Sequence, residues 1–542
     1  MKRLLSFTLL SPLLILAQAE VYFSPVFDVS EVSQGVASIS HSDLQAHLTF
    51  LASDATEGRG TGQHGLQVAA EYIASHFLRL GLTPLERDRS FFQRYELLKT
   101  SLTENNALSL FYEEGESQVR ENFQFREDYF ISPWGLTGSM EIQAPIVFAG
   151  YGIDAPEYSY NDYTGIDVRH KIVLIIDGEP EFSDRDRFKG EKDTHFADVR
   201  EKVALARKQG ASALLVASNP KSSALFSDKF KRWEKWLKRE SMSLPTSDRP
   251  LPLLMISTRT ADRILSSTGK TLEELQIGLE SEGKTTTQEL ANRYVRIAID
   301  IEKKAITAQN VAGYFPGSDP EVGHETVVIS AHYDHMGKNE EGTIWHGADD
   351  NGTGTSILLE IAEAVASNSS LPKRGFLFLA VSGEEKGLLG SKYYTSRPLL
   401  PLANTVTDLN IDMVGRNAPD SIYIIGSNMI SEDLHEINKY ASTKIEDLSL
   451  NYRYNTLDDP NRFYYRSDHY NFAQHGIPII FYFAGIHEDY HKPTDTVDKI
   501  NFNKMEKVAR LVLLTGWGVA QSEMRLRNNA GQYPKLPDKI KL

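Results

Sequence analysis

No cysteine occurs anywhere in these 542 residues. Disulfides, thiolate metal ligands, lipid-modified cysteines and Cys-His catalysis are therefore excluded, and stability falls to the core alone. Basic residues are in the minority, 58 against 73 acidic for a net charge of -15. That balance argues against a nucleic-acid partner, because phosphate affinity is built on Lys and Arg. No G-x-S-x-G elbow is present. Beyond the N-terminus no apolar run approaches the ~20 residues that a membrane-spanning helix requires, so no stable membrane insertion is expected. At the N-terminus, Lys2 and Arg3 precede a short apolar stretch, 4–16, that contains Pro12 and is followed by Ala17, Gln18 and Ala19. This is the pattern of a secretory signal cut after Ala19, and the mature protein is expected to be secreted or periplasmic.

A chain of this length exceeds one compact core, and two or three domains are expected. Val68, Ala69, Tyr72, Ile73 and Phe77 share one face of a helix over 66–78, ended by Gly81 and preceded by the glycine-rich loop Glu57-Gly58-Arg59-Gly60-Thr61-Gly62. From 88 to 140 the alternation predicts strands, one of them at 108–112. Between 140 and 290, apolar strands at 171–176 and 213–216 with a helix around 196–209 suggest a small α/β unit. After Arg293 the rhythm is strand, loop, helix: strands at 327–330, 376–381, 407–411 and 477–483, with Ile357, Leu358, Ile361 and Val365 on one helix face. That rhythm predicts an α/β fold whose mostly parallel mixed sheet is flanked by helices.

Five metal-type ligands run in order through this second half: His332 in AHYDH, Asp350 in HGADDNGTG, Glu385 in SGEEKG, Asp412 in NIDMVGR and His491 in YHKPTD. Each reads as lying at or just past a buried strand, and open α/β sheets collect ligands at the carboxyl ends of their strands. Two histidines and three carboxylates suit a pair of zinc ions. Asp334, two residues from His332 and on the same side, is placed to accept a hydrogen bond from the imidazole's other nitrogen. Asp350 has two oxygens and can bridge cations ~3.5–4 Å apart. The glycines around it allow a sharp turn, and the lack of Lys-Ser/Thr after Gly352 rules out a phosphate loop. Adjacent desolvated carboxylates repel, so Glu385 is assigned as ligand and Glu384 as general base. His335 is set aside as a bystander. Arg416 either orients Asp412, contacts a substrate carbonyl or forms a surface ion pair. Residues 487–491 also spell HExxH, but Gly485 and Pro493 flank them and predict a loop, so a single-zinc protease is the lesser reading.

The segments AHYDHMG, HGADDNGTG, SGEEKGLLGS, NIDMVGR and YHKPTDT, in this order over about 300–520, resemble the co-catalytic di-zinc aminopeptidases. That family includes secreted bacterial leucyl aminopeptidases and glutamate carboxypeptidase. GYGI and NDYTGIDVRHKIVLI, within 140–290, resemble its inserted protease-associated (PA) domain. The resemblance implies an α/β zinc-exopeptidase fold (phosphorylase/hydrolase-like), two Zn2+ per chain and peptide substrates with a free N-terminus. It implies that His332, Asp350 and Asp412 hold one zinc and Asp350, Glu385 and His491 the other. Glu384 would be the catalytic base with Asp334 beside it, and Ser467-Asp468-His469 would support the metals or line the substrate pocket. The corresponding division is a signal at 1–19, the N-terminal part of the peptidase domain at 41–139, a small α/β PA-like insert at 140–290, the catalytic domain at 295–525 and a loosely ordered tail at 528–542. Carboxypeptidase or dipeptidase activity is the alternative within the family. Receptor-like members lose the ligands, whereas here every position is filled. Within the insert, the basic and aromatic segment from Lys229 to Arg239 reads as a solvated face, with membrane-surface binding as its alternative. Oligomeric state and the insert's role are left open.

Overall fold

Strands covered on both faces read as unbroken apolar runs, and four of them form the centre of this molecule. A computed structural model describes residues 25–529, apart from 134–135, 183–187, 189–192, 223–225, 229, 232–240, 246–249 and 283–286. The signal-like segment, most of the C-terminal tail and most of the segment from Lys229 to Arg239 lie outside the described residues.

The strands Gly375–Val381, Thr326–His332, Thr405–Ile411 and Ile479–Phe483 run parallel in that spatial order. Antiparallel neighbours extend the sheet on both sides, Ile301–Phe315 and Phe92–Leu102 on one and Ser421–Ile425 on the other, and the short strands Thr83–Pro84, Ser241–Ser243 and Ser449–Asn451 bring it to ten among the described residues. Along Gly375–Val381, Phe376, Phe378 and Ala380 enter one core while Leu377, Leu379 and Val381 enter a second core on the opposite face. Helices His64–Arg79, Gly354–Ser367 and Phe502–Gln521 cover the first face. Helices Leu389–Ser396 and His469–Ala473 pack over the second. Asn501 caps the 20-residue closing helix by accepting from Lys504 N. Among the described residues no helix is long and apolar enough to cross a membrane.

A second, eight-stranded sheet stands apart from the first. At its centre Met140–Phe148, Ile172–Ile176, Ala213–Ala217 and Leu253–Ile256 are parallel, with helix Val199–Lys208 between the second and third. It reaches further along the chain than 140–290. Ala107–Glu114, Ser117–Phe123 and Tyr129–Ile131 join it from before that range, and Gln288–Ile299 continues it afterwards. Half-buried antiparallel strands carry no mark of which sheet they will pair with, so the sequence pattern could not assign them. Contacts also join it to the part of the chain that forms the larger sheet. Ser241–Ser243 pairs with the edge strand Phe92–Leu102, and Asp198 at the head of helix Val199–Lys208 forms a 2.7 Å ion pair with Arg462.

Candidate metal centre

His332 is the last residue of its strand, Asp412 follows Ile411 directly, and Glu384 and Glu385 lie just beyond Val381. Three parallel strands thus deliver three ligands to one end of the sheet. Asp350 and His491 arrive differently from the sequence expectation, which put each ligand next to a strand. The chain leaves His332, forms a small ribbon pairing Gly337–Lys338 with Ile344–Trp345, and then turns through 348–353 into helix Gly354–Ser367. Gly347 makes this turn at φ +57°, and a Cβ there would lie 2.2 Å from the Asp350 carbonyl oxygen. His491 stands in the irregular turn after Phe483, at φ +56°.

The structure brings all five predicted ligands together. His332 Nε2 lies 3.2 Å from Asp412 Oδ1 and 3.5 Å from Asp350 Oδ1. His491 Nε2 lies 3.2 Å from both Asp350 Oδ2 and Glu385 Oε2. One oxygen of Asp350 therefore faces each histidine, the placement a bridging carboxylate needs. His335, expected to stand outside, is fully buried with Nδ1 2.8 Å from Glu385 Oε1 and 3.7 Å from Asp350 Oδ2. The strand's alternation ends at His332, so the spacing gave no guide to where the next residues point.

Donor atoms 2.0–2.1 Å from a zinc-type ion lie about 3.4 Å apart at tetrahedral angles and about 2.9 Å apart at right angles. Every separation above falls near that range. Asp350 Oδ2 is buried without a hydrogen-bond partner, an expensive state unless a cation meets it. Burial alone would lower His491, but the carboxylates of Asp350 and Glu385 beside it push its imidazole up to about 10. Burial alone would raise the Glu385 carboxyl, yet hydrogen bonds from His335 and His491 hold it well below the usual range. Burial pushes the Glu384 carboxyl well above that range, and the carboxylates Glu385, Asp468 and Asp412 add to the shift. A site this rich in carboxylates fits divalent metal.

The surroundings fix each ligand. His332 Nδ1 is 3.1 Å from the main-chain oxygen of Asp334, while the Asp334 carboxylate stands 3.8 Å off. This corrects the expected carboxylate–imidazole bond. The carboxylate is already engaged, accepting from Thr61 Oγ1 at 2.8 Å and from Glu384 N at 3.2 Å, so it ties the Glu384 backbone to the N-terminal loop. Asp495 accepts from the main-chain N–H groups of Asp349 and Asp350. Asn351 donates to Ile411 O at 2.8 Å, pinning the Asp350 turn to the strand end that carries Asp412.

Residues 487–491 form no helix, as the flanking glycine and proline predicted. His487 Nε2 meets Asp349 Oδ2 at 3.2 Å, Glu488 is exposed, and Asp489 takes Arg416 Nη2 at 2.9 Å and Lys499 Nζ at 2.8 Å. Of the two HExxH histidines, only His491 reaches the centre. Of the roles open to Arg416, the structure shows an ion pair, partly buried rather than at the surface. Ser467 donates to Asp412 Oδ2 at 2.7 Å, Asp468 accepts from Ser391 at 2.5 Å, and His469 contacts Tyr464 O at 2.8 Å.

Two features had no sequence reading. Arg59, fully buried in the glycine-rich loop, donates Nε to Tyr333 O at 2.8 Å, Nη1 to His346 O at 2.7 Å and to Leu51 O, and Nη2 to Gly347 O at 2.8 Å. Burial lowers its guanidinium to about 10, against the opposing pull of Asp350, Asp495, Asp334 and Glu385. An arginine among glycines was the only available signal.

The second feature is a buried chain behind Asp412. Ser467 takes a hydrogen bond from Asn410 Nδ2 at 2.9 Å, and Ser330 Oγ lies 3.0 Å from Asn410 Oδ1 and 2.7 Å from Asp408 Oδ1. A hydroxyl carries one hydrogen, so one of those last two contacts needs its proton from Asp408. Burial, with Asp468 nearby, pushes the Asp408 carboxyl well above its usual range, as that requires. Asp408→Asn, which keeps a donor and an acceptor, should stay within about 1 kcal/mol of the parent in urea unfolding. Asp408→Ala should lose about 1–3 kcal/mol by stranding Ser330. Equal losses in both variants would refute the protonated chain.

An α/β sheet that gathers histidines and carboxylates around a shared aspartate defines a metal-dependent hydrolase-type centre. Residues 310–515 match the model of peptidase family M28, and residues 142–264 match that of the PA domain. The chain thus carries an M28 peptidase domain and a PA domain, in agreement with the resemblance in its motifs. It is similar to aminopeptidase YwaD of Bacillus subtilis (strain 168), 28% identical over 229 residues that cover 40% of this chain and 46% of that one. Leupeptin-inactivating enzyme 1 of Streptomyces exfoliatus is 30% identical over 194 residues, covering 36% and 39%. The chain spans about half the length of the curated relatives it matches. Among solved structures, the aminopeptidase from Aneurinibacillus sp. strain AM-1 shares the fold with a TM-score of 0.52 at 20% identity, covering 93% of this chain and 99% of that one.

Proposed function

We propose that this protein is a zinc-dependent aminopeptidase that holds two Zn2+ and removes N-terminal residues from peptides. The observation that carries the reading is Asp350, set with one oxygen towards His332 and Asp412 and the other towards His491 and Glu385. The names of relatives support the class of reaction, since YwaD is an aminopeptidase and similar fungal proteins are described as probable zinc metalloproteases.

Zinc bound there would supply Lewis acidity, lowering the pKa of a water towards neutrality and polarising a carbonyl. His332, Asp350 and Asp412 would hold one ion, and Asp350, Glu385 and His491 the other. Glu384 takes the proton from the attacking water and returns it to the leaving amine. Asp334 keeps Glu384 in place through the hydrogen bond it accepts from that residue's main-chain N–H. Ser467 fixes the orientation of Asp412.

We extend the proposal to location outside the cytoplasm, in the periplasm or medium. The signal-like pattern from Lys2 to Ala19 supports it.

Zinc analysis and a panel of aminoacyl anilides test the reading together. About two zinc per chain, loss of activity on chelation with recovery on zinc, and no cleavage of N-acetylated anilides are the expected results. Release of C-terminal residues from N-blocked peptides, with anilides left intact, would instead establish the carboxypeptidase alternative.

A further inference from the structure

His335 is the one imidazole at the centre that the proposed pair of zinc sites leaves without a role. It is held as firmly as any ligand there. Its main-chain N–H donates to Arg59 O at 3.0 Å, and the same stretch bridges to Gly60. Its ring lies against Gly347, where a Cβ would stand 2.4 Å from His335 Cδ2, so a side chain at 347 would displace it. It has no exposed surface.

From that position His335 and His491 bracket the same two carboxylates. Glu385 turns Oε1 to His335 Nδ1 and Oε2 to His491 Nε2, at 2.8 and 3.2 Å. Asp350 Oδ2 lies 3.7 Å from the first imidazole and 3.2 Å from the second. Donors from His335, Asp350 and Glu385 come within 4.8 Å of one another, as do those from His332, Asp350 and Asp412.

We propose that His335 is a protein ligand of the ion held by Asp350, Glu385 and His491, giving that position four protein donors against three for the position at His332, Asp350 and Asp412. This rests on the two-metal reading above and adds an asymmetry to it. Two imidazoles and two carboxylates suit zinc and fill a tetrahedral set, as in closed sites. The position with three donors keeps room for water and substrate, as catalytic zinc does. The ion beside His335 is the tighter one, and the exchangeable ion sits at His332.

X-ray absorption on the zinc-loaded, unmodified protein counts the imidazoles without any substitution. Three histidines over two ions give about 1.5 imidazoles per zinc, whereas His335 as bystander gives about 1. Zinc titration of metal-free protein by calorimetry supplies the second arm, with His335→Ala and His335→Gln. Glutamine retains a hydrogen-bond donor for Glu385 but ligates zinc poorly. Both variants should bind the tighter ion at least about tenfold more weakly, a loss of about 1.4 kcal/mol or more. Recovery of parental affinity in His335→Gln, or about one imidazole per zinc in the parent, overturns the proposal and leaves the two-metal centre standing. Fewer than two zinc in the parent overturns the centre, and the proposal with it.

Discussion

Glu384→Gln retains its zinc and loses turnover by about 10²–10⁴-fold, the range that a positioned general base contributes. The carboxylate adjoins Glu385 in sequence yet is not among the residues proposed to hold zinc, so a neutral amide there removes the proton acceptor without removing a donor from either proposed zinc position. Its main-chain N–H is fixed 3.2 Å from Asp334 Oδ1, so the amide should occupy the same place. The structure also surrounds it with carboxylates from Glu385, Asp412 and Asp468, which raise its affinity for a proton. Metal analysis and steady-state kinetics on the best anilide separate the two effects. The loss should fall on kcat with KM little changed, since the residue acts on the reacting proton and not on the resting substrate. Undiminished kcat would falsify the assignment.

Arg59→Met should lose about 3–5 kcal/mol of stability, the cost of removing one side of a buried charged network. Its guanidinium satisfies main-chain oxygens of Leu51, Tyr333, His346 and Gly347. These carbonyls belong to the end of helix His41–Leu51, the residue after the His332 strand and the approach to the Asp350 turn. Methionine fills similar volume but leaves the carbonyls of Tyr333 and His346 without their donor, at about 1–3 kcal/mol for each that water cannot reach, while Leu51 O keeps Thr56 Oγ1 and Gly347 O keeps the Gly352 N–H. Arg59→Lys keeps the charge but cannot fork to separate acceptors, and it should fall between the two. Urea unfolding of metal-free protein reads the intrinsic loss, and repeating it with zinc reads the effect on the centre. A metal-free stability within about 0.5 kcal/mol of the parent would remove Arg59 from this role.

His332, Glu385 and Asp412 were legible because a parallel strand announces itself as an apolar run and its carboxyl end is where ligands gather. Asp350 and His491 were legible by residue type and motif alone, since neither follows a strand of the sheet directly. What escaped the sequence has a common cause. Arg59 speaks to main-chain oxygens, which leave no residue-type signature. His335 lies past the point where strand alternation holds. Asp408 and Ser330 sit inside strands whose apolar character hid a polar line between them. The HExxH segment shows the converse, for there the flanking Gly485 and Pro493 predicted a loop that the structure contains. The broad architecture followed from the strand, loop, helix rhythm, whereas the allotment of Ala107–Glu114, Ser117–Phe123 and Tyr129–Ile131 to the second sheet depends on pairing between distant segments.

Ser241–Ser243, three residues contributed by the insert's stretch of chain, lies along Phe92–Leu102. Without it Leu98, Lys99 and Thr100 would lose their partners on that side and lengthen the open edge of the larger sheet, whose unpaired N–H and C=O groups are a template for joining another molecule. The insert thus acts as a guard rail for its host. Removing it to simplify the protein would leave the metal ligands in place and expose an edge able to recruit a neighbour, so such a deletion invites self-association even where the remaining sheet folds correctly.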